Sequence, residues 1–148
     1  LSDDLESLEN LILKFRETSS RVIVVKVSPD STEEEVLKVC EILLNIPKTV
    51  INIGNSKYVK ADSVGLSSKT FSKEGGGLSG KSLYSNTLKT VKLISSKYDL
   101  PIIATGGVSS YDNVKELLDN GASLTGMATL LVSDPFQIPL INYRLSND

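Results

Sequence analysis

The string GGGLSGKS, residues 75–82, matches the phosphate-loop pattern G-x-x-x-x-G-K-[ST]. In a nucleotide-binding loop of this kind, the glycines lie between a buried strand and a helix, so that backbone N–H groups and the helix dipole converge on phosphate. The preceding residues 67–74 contain only one large apolar side chain, Phe71. We therefore expect no central strand there. Two other interpretations compete with nucleotide binding: a solvated loop without a ligand, and a loop of a different phosphate-handling architecture.

Polar and glycine residues also cluster where the apolar runs of the sequence end. Lys26 and the string SPD end the first run, and Asn55 and Ser56 follow the second. The third run ends in Gly106 and Gly107, and Thr129 lies in the fourth. In parallel α/β sheets the carboxyl ends of the strands form the binding face, and loop N–H groups with a short helix can hold a phosphate there. The pattern favours a binding site at this edge.

The elements that would position these residues are one helix followed by four strand-helix units. Residues 5–20 have the apolar spacing of an amphipathic helix, and the strands are expected near 22–27, 49–53, 101–105 and 123–131. Strands that alternate with helices pair in parallel through right-handed crossovers. The sequence predicts an α/β fold, a wound sheet or part of a barrel, with strands buried on both faces. The polar stretch 56–81 is expected to be a long loop.

Composition narrows the function classes. The 148 residues suit one domain, and 16 basic against 18 acidic residues give a net charge of −2, so nucleic acid is not an expected partner. Histidine is absent, which excludes histidine catalysis and histidine metal ligation within this sequence, and no metal site is predicted. Cys40, the single cysteine, lies on an apolar helix face and is expected to be a packed thiol. No apolar run is long enough to span a membrane, so we expect an intracellular soluble protein.

Four motifs taken together resemble a known family. VKVSPD, GGLSGKSL, PIIATGGVSS and NGASLTGMATLL, in this order and spacing, are similar to the C-terminal half of the dihydroorotate dehydrogenases, and most closely to the membrane-associated class 2 type. The resemblance extends from about Val22 to Leu131. It implies four β-α units corresponding to the C-terminal half of an FMN-binding TIM (β/α)8 barrel. Residues 1–148 would form one half-barrel domain that is incomplete without an N-terminal half.

The resemblance also implies roles for individual residues. Lys26 would approach the flavin of FMN, Ser79 and Gly80 would belong to a loop that lies against it, and Asn55 and Ser56 would contact the substrate, dihydroorotate. The phosphate of FMN would be held by a second set, at the ends of the last two strands: Gly106, Gly107 and Thr129.

Two further cofactor positions depart from the family pattern. Gly54 stands where the family usually has Thr, and Ala128 where it usually has Tyr. The tail from 137 to 148 lacks the family's long amphipathic closing helix.

Two functions from different classes remain open. The first, implied by the resemblance, is the C-terminal part of an FMN oxidoreductase that converts dihydroorotate to orotate in pyrimidine biosynthesis, at the mitochondrial inner membrane. The family's serine base and its membrane contacts would lie in the absent half, so no catalytic residue is assigned and these residues alone are expected to be inactive. The second is a non-catalytic half-barrel that acts as a structural or protein-binding module, which Gly54, Ala128 and the short tail favour.

Overall fold

The computed structural model describes residues 5–67 and 73–148. The expectation about Phe71 lies outside the described residues. The helices are α1 Leu5–Thr18, α2 Glu33–Leu44, α3 Tyr84–Ser95, α4 Tyr111–Asp119, α5 Ala128–Ser133 and α6 Gln137–Leu145. The strands are β1 Ile23–Val27, β2 Thr49–Ile53, β3 Lys57–Lys60, β4 Gly75–Leu78, β5 Ile102–Thr105 and β6 Leu124–Gly126. Short 3₁₀ turns span Ala61–Val64 and Lys81–Leu83.

Four strands form one parallel sheet in the order β1-β2-β5-β6. Each is followed along the chain by a helix, in the case of β2 after the strands β3 and β4. The sequence pattern of apolar runs that alternate with capped helices predicted this order; α2, for example, begins with a complete capping box between Thr32 and Glu35. The register places Lys26 opposite Asn52, and Thr105 opposite Gly126. The predicted α/β class with four parallel β-α units is therefore confirmed, and the carboxyl ends of all four strands meet at one edge.

The two faces of this sheet differ in burial, and the prediction that the strands are buried on both faces is wrong. The side chains of Ile51 and Ala104 are fully buried on the face that the helices cover. On the opposite face, Val24 in β1 is 48% exposed and Leu124 in β6 is 62% exposed. The difference arises because successive strand residues point to opposite faces, and the described residues cover only one of them.

Two local predictions were also wrong. The stretch 56–81 contains an antiparallel hairpin, β3 paired with β4, in which Tyr58 lies opposite Gly77. Backbone pairing in this hairpin needs no apolar core, so the sequence pattern did not reveal it. The predicted fourth strand, 123–131, ends at Gly126, and Ala128 begins the short helix α5. A short apolar run does not distinguish a strand from a buried helical turn.

Cys40 lies in the core between the sheet and its helices, with no exposed surface. Burial raises the pKa of its thiol to about 11. The expectation of a packed thiol is confirmed, and a thiol that stays protonated at neutral pH is a poor nucleophile.

Candidate functional site

A cavity of about 130 Å³ lies at the carboxyl edge of the parallel sheet. Its lining comes from the ends of all four strands and from the loop before α3. Nine of the ten residues predicted for the site line it: Lys26, Asn55, Ser56, Ser79, Gly80, Gly106, Gly107, Ala128 and Thr129. The first and the last of these residues are more than 100 residues apart in the sequence. The fold therefore brings residues from distant parts of the chain into one cavity.

Lys26 and Asn55 form a direct pair at one end of this cavity. Lys26 Nζ donates a hydrogen bond to Asn55 Oδ1 over 3.3 Å. No carboxylate of the described residues lies within ion-pair distance of Lys26, in contrast to Lys38, which pairs with Glu34. A nearby carboxylate would neutralise this lysine, so the geometry leaves Lys26 available to a ligand.

The glycine pair after β5 lies on the first turn of α3. Gly107 has a φ of 75°, and a Cβ atom there would lie 2.4 Å from Tyr84 N. Beneath the pair, the buried Thr87 side chain donates from Oγ1 to Gly106 O over 2.9 Å. The absence of side chains at 106 and 107 therefore allows the loop backbone to pack directly on α3.

Tyr84 in turn connects α3 to α4. Its hydroxyl donates to Glu116 Oε2 over 2.6 Å. Partial burial, and next the adjacent Glu116 carboxylate, raise the pKa of the Tyr84 hydroxyl to about 12. The hydroxyl therefore stays protonated and donates to Glu116 throughout the physiological pH range. This hydrogen bond joins α4 to α3, the helix that Gly107 contacts.

The helices that begin at this edge differ in how their first backbone N–H groups are satisfied. Ser110 caps α4 by accepting from Asn113 N over 3.2 Å. The start of α5 has no such side-chain cap, since Met127 occupies its N-cap position. Ala128 and Thr129, predicted on a strand, lie instead in the first turn of α5, and both line the cavity.

The end of the GGGLSGKS string also reaches the cavity, but not as a nucleotide-binding loop. Its glycines 75–77 belong to the hairpin strand β4, and Ser79 and Gly80 line the cavity. Lys81 begins a 3₁₀ turn and is not a lining residue. A nucleotide-binding lysine would have to reach the same phosphate as the glycine N–H groups, so this geometry disfavours the nucleotide interpretation.

Gly54 is the predicted residue that the structure places elsewhere. It is buried, has a φ of 122°, and does not line the cavity. A Cβ atom at this position would lie 1.3 Å from Thr105 O. The ends of β2 and β5 approach each other so closely here that only glycine fits, which accounts for the absence of the family's usual Thr at this position.

Sequence reasoning missed several residues of the site. Thr105 lines the cavity and donates from Oγ1 to Asn52 Oδ1 over 3.0 Å, on the uncovered face of the sheet. A polar residue inside each apolar run, Asn52 in TVINI and Thr105 in PIIAT, was the available signal. Apolar contacts come from Leu83 and Val108.

The charges around the cavity favour an anion. Lys26 is the one charged side chain among the lining residues, and none of them is a carboxylate. A larger cavity of about 300 Å³ lies between the β3–β4 hairpin and the 3₁₀ turn Ala61–Val64, lined mostly by apolar side chains and glycines. Its lining includes none of the ends of the parallel strands and no converging polar groups, so the smaller cavity is the better candidate for chemistry.

The family model for dihydroorotate dehydrogenase matches residues 2–147. The chain belongs to this family. A dihydroorotate dehydrogenase (quinone) of Actinobacillus pleuropneumoniae is 36% identical over 141 residues, which cover 89% of this chain and 40% of that protein. The corresponding protein of Christiangramia forsetii is 30% identical over 148 residues, covering 97% and 42%. The chain thus spans about two fifths of the length of these relatives.

A solved dihydroorotate dehydrogenase, the Eimeria tenella enzyme in complex with ferulenol, has a similar structure. It superposes with a TM-score of 0.71 and 26% identity, over 85% of this chain and 34% of that one. The predicted correspondence of the four β-α units to part of the family's TIM barrel is confirmed. Among residues 5–67 and 73–148, no helix is long and apolar enough to cross a membrane.

Replacement of Gly54 tests the close approach of β2 and β5. We expect Gly54→Ala to lower the free energy of unfolding by at least about 2 kcal/mol, because the new methyl group meets a backbone oxygen and the residue keeps a left-handed φ. Gly76→Ala is the matched control, since a Cβ at 76 meets nothing within 4 Å. Urea denaturation measures both. Equal stabilities of the two variants would refute the close approach.

Proposed function

We propose that this chain forms the C-terminal part of a dihydroorotate dehydrogenase-like flavoenzyme, and that its cavity binds FMN. The observation that carries the proposal is the convergence of nine predicted residues, from distant parts of the sequence, on one cavity in a chain of this family. The reaction would be the oxidation of dihydroorotate to orotate. Residues 1–148 would be one partial-barrel domain.

The phosphate of FMN would lie at the end of the cavity formed by Gly106, Gly107 and Thr129. A Cβ at Gly107 would collide with α3, so this position carries no side chain, and Gly107 lines the cavity with its backbone. The neighbouring turn at the start of α5 has no capping side chain. Exposed N–H groups and the absence of lining carboxylates suit a phosphate, which needs several donors and no competing anion.

The flavin ring would extend from this end toward Lys26. A cavity of about 130 Å³ is smaller than the roughly 300–1,000 Å³ typical of cofactor-sized sites. We therefore propose that the remaining wall comes from the part of the family barrel that this chain does not span. That part would pack on the uncovered face of the sheet, where Val24 and Leu124 are exposed.

Lys26 and Asn55 would act on the ring and the substrate. When bound, FMN supplies a two-electron acceptor for the oxidation. Lys26, oriented by Asn55 Oδ1, would stabilise negative charge on the ring. The same bond leaves Asn55 Nδ2 free to donate to dihydroorotate, with Ser56 beside it. We assign no proton-abstracting base to this chain, since no lining hydroxyl has an activating histidine.

The mitochondrial inner membrane remains a prediction from the family resemblance. The Actinobacillus and Christiangramia relatives are bacterial proteins, so they do not support a mitochondrial location. A non-catalytic role as a structural or protein-binding module is the second candidate, and Ala128 is the observation that favours it: its methyl group lines the cavity at a position where the family usually has an aromatic ring.

Flavin content separates the two candidates. We expect the full-length protein that carries these residues to be yellow, with an absorption band near about 450 nm from bound flavin, and mass spectrometry of the released chromophore to identify FMN. A colourless protein that also takes up no added FMN would overturn the enzyme proposal and leave the structural module.

Replacement of Lys26 tests its role beside the ring. We expect Lys26→Ala to retain FMN but to slow flavin reduction by dihydroorotate roughly a hundredfold, the usual cost of removing one charge-stabilising group. Stopped-flow absorbance under anaerobic conditions measures the rate. The control is Lys92→Ala, on α3 and away from the cavity, which should reduce at the wild-type rate. Equal rates for both variants would show that Lys26 stabilises nothing in the reaction.

A further inference from the structure

Thr87 lies beneath the cavity rather than in its lining. It is in the second turn of α3, and only 5% of its surface is exposed. Its hydroxyl faces two carbonyl oxygens, Leu83 O at 3.2 Å in its own helix and Gly106 O at 2.9 Å in the loop after β5. The shorter contact joins two elements of the fold, so the hydroxyl does more than complete its own helix.

This contact fixes the orientation of the peptide that joins Gly106 to Gly107. In a trans peptide the carbonyl and the following N–H point in opposite directions, and the described residues contain no cis peptide. Because Gly106 O accepts from Thr87, the N–H of Gly107 points away from Thr87. Gly107 lines the cavity, and its N–H donates no hydrogen bond to any residue in the described ranges.

The two glycines would allow this peptide to adopt either of two orientations. A peptide flanked by two glycines can rotate to place its carbonyl, instead of its N–H, toward the cavity, because glycine tolerates both signs of φ. A carbonyl oxygen in that position would repel an anion. The hydroxyl of Thr87 holds the carbonyl on the helix side and so selects the orientation that an anion requires.

We propose that Thr87 is a positioning residue for the phosphate end of the cavity: its hydroxyl holds the Gly106 carbonyl so that the Gly107 N–H donates to a phosphate group. The inference rests on the proposed function, because it takes FMN as the ligand. It predicts a selective effect. Loss of the hydroxyl should weaken binding of a flavin that carries a phosphate and leave binding of the same flavin without the phosphate nearly unchanged.

The test compares FMN with riboflavin on the full-length protein after removal of its flavin. Affinities are measured by quenching of flavin fluorescence for the wild type, Thr87→Val, Thr87→Ser and Thr90→Val. Thr90 is the matched control, since it is a partly exposed threonine on the same helix whose hydroxyl donates to Asn86 O in its own helix. Thr87→Cys, with a weak thiol donor, replaces the valine variant should that variant not fold.

We expect Thr87→Val to bind FMN about tenfold more weakly, the loss of about one hydrogen bond, and riboflavin within about twofold of the wild type. Thr87→Ser should restore FMN binding, and Thr90→Val should match the wild type. Equal weakening for both flavins, or none for FMN, would overturn the role of Thr87 while leaving the proposed function intact. A wild type that binds neither flavin would overturn the proposed function, and this inference with it.

Discussion

The site depends on a close contact between backbone segments that side chains would prevent. Gly54 at the end of β2 lies against Thr105 O at the end of β5, and Gly107 lies against the first turn of α3. In both places a methyl group would meet backbone atoms closer than van der Waals contact allows. The cavity therefore forms where the strand ends approach one another, with its polar groups supplied by the backbone and by short side chains.

The electrostatic character of the site follows from this construction. Backbone N–H groups and one lysine supply positive potential, and the lining contains no carboxylate to oppose it. Threonine hydroxyls orient the neighbouring polar groups, Thr105 toward Asn52 and Thr87 toward Gly106. The arrangement suits an anionic ligand held at the edge of a parallel sheet, as we propose for the phosphate of FMN.

The sequence predicted most of the fold because each β-branched run and each capped helix follows a local rule, and parallel pairing follows from their alternation. It also placed Lys26, Asn55 and Gly107 at the same edge, since that edge is fixed by strand direction. Burial of both sheet faces was wrongly predicted because composition does not show which neighbours cover a face. The β3–β4 hairpin and α5 were missed because backbone pairing and short apolar turns leave weak patterns.

The contacts of Gly54 and Thr87 could not be predicted from the sequence, for a different reason. Gly54 was assigned to the cofactor by position along the chain, yet its conformation serves a contact with Thr105 that only three-dimensional packing reveals. In the sequence, Thr87 looks like an ordinary helical threonine. Only the structure shows that its hydroxyl contacts the loop after β5. In both cases the relevant partner is more than 15 residues away in sequence.

A crystal structure of the full-length protein grown with FMN tests the central claim most directly. We predict a phosphate oxygen within about 3 Å of Gly107 N, with the flavin ring extending toward Lys26 Nζ. A reversed flavin, with its ring at the glycine pair, or a phosphate bound away from the strand ends, would contradict the account.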